Sequence, residues 1–157
     1  MSFTAYCTVA QVEAEGSPAG KVYTTTGKPT ITQVEGFCSQ IYREINSRLA
    51  TVGVSTPVSI TTSPISYALM TDLNALGAAA KALRIAFSRA EPNKSDWVDE
   101  LKQDYLDKLQ WYCDNLSALS DAATDSANTV LSRTADLMDV DDPDDITEHR
   151  FYRGQIW

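Results

Sequence analysis

The chain has 157 residues, 43% of them hydrophobic, and a formal net charge of -8, so it can fill one core without help from metals or disulfides. The acidic balance opposes binding to phosphate backbones. No run approaches the roughly 20 apolar residues of a membrane span, and residues 1–5 lack the basic start of a signal peptide, so no membrane association and a cytosolic chain are expected.

Thr8 and Gln11 have the spacing of a capping box, and Val9 and Val12 can face a core from a short opening helix that stops before Gly16. Residues 16–30 (GSPAGKVYTTTGKPT) are dominated by turn formers and read as a loop, with at most a brief extended arm over 21–25. Thr30 and Gln33 form a second capping box. It opens a long helix in which Val34, Phe37, Cys38, Ile41, Ile45, Leu49 and Val52 recur at three-to-four spacing, with Gly53 as a left-handed stop. Glu35, Arg43, Glu44 and Arg48 mark its wet face.

After the Pro- and Thr-rich link VSTPVSITT, Ser63 and Pro64 supply a cap and a first-turn proline for a helix reaching about residue 89. Its stripe is Ile65, Leu69, Leu73, Leu76, Leu83 and Phe87. Gly77-Ala78-Ala79-Ala80 makes its middle slim, which suits close approach of a sister helix in the same core or, alternatively, of a neighbouring subunit. Ser95 caps a third long helix running to about residue 120, with Asp96 in its first turn. Trp97 or Val98, Leu101, Tyr105, Leu109, Tyr112 or Cys113, Leu116 and Leu119 form its stripe. The fold class expected is all-α: a small bundle of three long helices and one short N-terminal helix, consecutive helices antiparallel, with an extended C-terminal arm.

The pattern changes at residue 121. Residues 1–120 hold 12 acids against 10 bases and residues 121–157 hold 9 against 3, which divides the chain into a bundle domain (1–120) and an acidic segment (121–157). Val130, Leu131, Leu137 and Met138 could form a weak helix. The block DVDDPDD is a solvated linker, and the segment ends with Phe151, Tyr152, Ile156 and Trp157, aromatic and apolar residues of the kind that anchor interfaces.

Chemistry-bearing motifs fail one by one. Counting from Asp139, a calcium loop would need an oxygen ligand and then Gly where Pro143 and Asp144 stand, so Asp141 and Glu148 belong to no calcium loop. The single histidine, His149, has no cysteine or second histidine nearby for zinc or for a nucleophile–base pair. The glycines are scattered and build no phosphate loop. Asp99/Glu100 and Asp104/Asp107, interleaved with Lys102 and Lys108, have the spacing of solvated helix-surface pairs. Cys7, Cys38 and Cys113 are odd in number and far apart, and read as free buried thiols. No catalytic residue, cofactor or metal is expected, and no enzymatic activity.

The order of parts (TVAQVEAE, then PTITQVEGFCSQIYREINSRLATVG, LMTDLNALGAAAKAL and YLDKLQWYCDNLSAL) resembles the head-tail connector, or adaptor and head-completion, subunits of tailed bacteriophages over about residues 5–120. Its recurring phrase is Pro29-Thr30-x-x-Gln33-Val34 followed by Ile45-x-x-x-Leu49. The resemblance implies a virion protein at the head-tail junction, made in the host cytoplasm. It further implies self-association into a ring, a dodecamer, docked on the portal protein and extending a channel through which DNA passes without specific binding. Tail or stopper/terminator proteins would attach below. In such proteins a C-terminal arm grips the portal, a part that falls here to Phe151, Tyr152, Arg153, Gln155, Ile156 and Trp157, led by the flexible 139–145 block. The acid content of that block departs from the family pattern. The alternative is a small acidic regulatory or chaperone-like protein-binding module.

Overall fold

The computed structural model describes residues 4–16, 22–87 and 95–124. Both capping boxes form. Thr8 and Gln11 exchange side-chain and backbone hydrogen bonds at the start of α1 (Val9–Glu15), and Thr30 and Gln33 do so at the start of α2 (Ile31–Thr51). Each box satisfies amides that the first helical turn leaves without partners. At the far end of α2, Gly53 adopts φ 83°. Its N–H donates to the Ala50 carbonyl (3.2 Å) while Val54 N–H reaches back to Leu49 (3.0 Å), closing a Schellman stop.

Two further long helices follow, α3 (Pro64–Phe87) and α4 (Ser95–Asp114). The last stretch of the third predicted helix is instead a 3-10 turn over Leu116–Leu119. The break lies at Asn115, where ψ is 64° and the side-chain amide donates to the Trp111 carbonyl (2.9 Å), a local bond that competes with continuing the helix. The described residues form an all-α small bundle. Consecutive long helices run antiparallel: the end of α2, the start of α3 and the chain leaving α4 meet at one end, where Ser55 N–H donates to Ala123 and Ser63 Oγ donates to the Asp121 carbonyl (both 2.8 Å).

α3 is the central element. Every residue from Leu73 to Ala80 is buried, because α1 and α2 pack on one side and α4 on another. A helix enclosed in this way needs no polar face. The slim segment makes the enclosure possible: a Cβ on Gly77 would lie 2.9 Å from Tyr105 Cδ2 and 3.0 Å from Ile41 Cγ2. Close packing within one core is thus the use of the small residues seen here. Ile41, Ile45, Leu49, Met70, Leu73, Tyr105, Leu109 and Leu119 form the larger cluster. Cys7, Val12, Tyr23, Val34, Cys38 and four alanines of α3 (Ala75, Ala78, Ala79 and Ala82) form the other. Each fully buried aliphatic side chain contributes roughly 1.5–3 kcal/mol.

Two further expectations are corrected. Ile65, assigned to the buried stripe of α3, is 61% exposed, and its place in the core is taken by Met70 and the fully buried Asn74. Ser63 accepts the first helical bond through its carbonyl, from Tyr67 N–H (2.8 Å), but its hydroxyl does not cap the helix. That part is played from 56 residues away by the Asp121 carboxylate, which accepts from Ile65 N–H (2.7 Å), Ser66 N–H (3.0 Å) and the Ser66 hydroxyl.

Candidate partner-binding surface

The N-terminal segment is fixed by one residue that sequence periodicity gives no reason to notice. Tyr6 is buried between the rings of Tyr42 (4.7 Å between centroids) and Tyr67 (5.4 Å). Its hydroxyl donates to Asn46 Oδ1 and accepts from Val58 N–H (2.9 Å), joining α2 to the link before α3. Burial, the largest influence, pushes this phenol up to about 12. Its main chain is held as firmly: Tyr6 N–H and Cys7 N–H both donate to Asn74 Oδ1 (3.1 and 3.2 Å), and the Asn74 amide donates to the Cys38 carbonyl (3.0 Å). A lone Asn on an apolar helix gives a hint that some buried backbone needs its amide, but no partner can be named from spacing.

The loop before α2 folds back on α1. Tyr23 enters the core, its N–H donates to Glu13 Oε1 (2.7 Å), and Ile31 N–H donates to Thr24. Its phenol is likewise pushed up to about 12, by burial first and then by the Glu13 charge. Val22, beside it, is 73% exposed.

Clefts between the helices include two small ones. One, of about 170 Å³, lies where α2 and α4 part over Gly77 and Ala80, with Ile41, Val98 and Tyr105 lining it and Lys81, Arg84 and Lys102 at its rim. Burial, and then the nearby Glu44 charge, raises the Tyr105 phenol. The other, of about 140 Å³, lies between Leu69, Asp72, Lys108 and Tyr112. Both are smaller than the roughly 300–1,000 Å³ of small-molecule sites. Among the described residues no three His, Cys, Asp or Glu side chains group to hold a metal ion. Asp99, Glu100, Asp104 and Asp107 are exposed, and Asp107 accepts from Gln103 one turn away (2.7 Å), as solvated helix-surface groups do.

What the surface does offer is a fixed exit for the C-terminal segment. Asp121 is tied to the start of α3, and Val54 pairs antiparallel with Thr124, the last described residue. The Ser66 hydroxyl, and then the Ile65 and Ser66 amides, hold the Asp121 carboxyl below its ordinary range. Ile60 (62% exposed) and Ile65 lie at this same end of the bundle. Phe151, Tyr152, Arg153, Gln155, Ile156 and Trp157, the predicted docking residues, lie outside the described residues, as do 139–145, His149 and the weak helix over 130–138.

The sequence matches no protein-family model, no curated protein and no solved structure.

Proposed function

We propose that the chain is a structural subunit of a phage head-tail connector ring, docking on the portal protein, extending the DNA channel and offering an attachment surface to the tail. The observation that carries this reading is the clamped root of the C-terminal segment. Asp121 and Thr124 are tied to the start of α3 and the end of α2, so the chain beyond Thr124 departs from a defined end of the bundle. In this reading Phe151, Tyr152 and Trp157, which are anchor-type residues, grip the portal. The order of elements, with both capping boxes formed, supports the resemblance from which the reading starts.

The test is imaging of the purified chain by mass photometry and negative stain, alone and with its cognate portal, beside a variant lacking residues 148–157. Rings on the portal are expected with the full chain, and loss of attachment with an unchanged melting curve for the truncation. A chain that stays monomeric with portal present refutes the reading. Attachment that falls steeply with salt would instead support capture of a basic partner by the 139–145 block, since apolar anchoring is insensitive to screening.

A further inference from the structure

Cys7 and Cys38 are 31 residues apart in sequence, but the fold brings them together. Both lie in the same apolar cluster, 2% and 0% exposed. The Asn74 side chain grips both backbones, accepting from Cys7 N–H (3.2 Å) and donating to the Cys38 carbonyl (3.0 Å), which sets the two residues side by side. Cys113 belongs to the other cluster, half-buried on α4.

We propose that Cys7 and Cys38 are a paired modification site that a two-electron thiol oxidant closes into a disulfide, locking the N-terminal segment and α1 onto α2. The inference does not depend on the proposed function. In the step two S–H bonds break and one S–S bond forms. Two electrons and two protons pass to the oxidant, the N=N bond of an azodicarboxamide becoming the HN–NH bond of the hydrazide, or a small disulfide becoming two thiols. The thiolate is the attacking species. The neighbouring Cys38 side chain, and then burial, holds the Cys7 thiol well above its ordinary range. Whichever thiol ionises first attacks, and the other is the sulfur it joins. With both thiols shielded from solvent, closure waits on brief opening of residues 4–8 and proceeds faster at alkaline pH.

The test treats the full-length reduced chain with azodicarboxamide under native conditions and in urea, quenches by acid, and maps disulfides by tryptic mass spectrometry. Cleavage after Lys21 and Arg43, with Lys28 protected by Pro29, places Cys7 in peptide 1–21 and Cys38 in peptide 22–43. The expected native product is a monomer two hydrogens lighter, with these two peptides linked and Cys113 still free to alkylation. In urea the three cysteines should pair in a mixture. Cys7→Ser and Cys38→Ser chains should each lose the native product, and Cys113→Ser should keep it. Three free thiols after native treatment, or a native product containing Cys113, overturns the proposal.

Discussion

Replacing Asn74 by Leu removes a buried amide without opening a large cavity, and its effect follows from three bonds. Tyr6 and Cys7 N–H lose their shared acceptor, and the Cys38 carbonyl loses one donor. Cys38 lies mid-helix, where the amide one turn on already serves its carbonyl, so that loss is small. The two N–H groups, each left buried and unpaired, cost about 1–3 kcal/mol apiece. Their sum, about 2–6 kcal/mol, is a large share of the roughly 5–15 kcal/mol that holds a domain folded. The cost is bounded above by a local escape: residues 4–8 can peel from α3 and rehydrate, surrendering the burial of Tyr6. At roughly 2–4 °C per kcal/mol for a chain of this size, Asn74→Leu should lower Tm by about 4–24 °C in a calorimetric melt. Hydrogen exchange should show the Tyr6 and Cys7 amides losing protection before those of α2. A variant melting within about 3 °C of wild type, with those amides still protected, would refute the role given to Asn74.

Tyr6→Phe keeps the ring contacts but leaves Val58 N–H and Asn46 without the hydroxyl, and urea unfolding should show a loss of about 1–3 kcal/mol. The same phenol, like Tyr23, is pushed up to about 12 by burial. Its contribution is complete below the unfolded value of about 10 and is lost as pH rises toward 12, so alkaline melts should fall over that window and fall less steeply in Tyr6→Phe. Asp121→Asn should lower Tm at neutral pH. Because the native carboxyl sits below its unfolded value, the gap to wild type should close as pH is taken below about 4, and a gap constant with pH would contradict the cap. Gly53→Ala places a side chain at φ 83° and should shift the urea midpoint by about 1–2 kcal/mol equivalent.

The sequence by itself determined what short-range physics controls. Thr8/Gln11 and Thr30/Gln33 need only three-residue spacing to close their boxes, and the Val34–Leu49 stripe needs only helical period, so helix starts, the buried face of α2 and the Gly53 stop are all legible. Periodicity also says which residues share a face, but not how far neighbouring helices reach along it, which is why Ile65 reads as core and stands in water. Only the tertiary structure decided that the middle of α3, residues 73–80, would be enclosed by its neighbours, and that Tyr6, Asn74 and Asp121 would tie the molecule together. Each of these three finds its partners 36 to 68 residues away, and no local spacing encodes a hydrogen bond whose two ends meet only after the bundle has packed. The Cys7–Cys38 pair belongs to the same class: two thiols unremarkable in sequence become neighbours because one buried amide binds both their backbones.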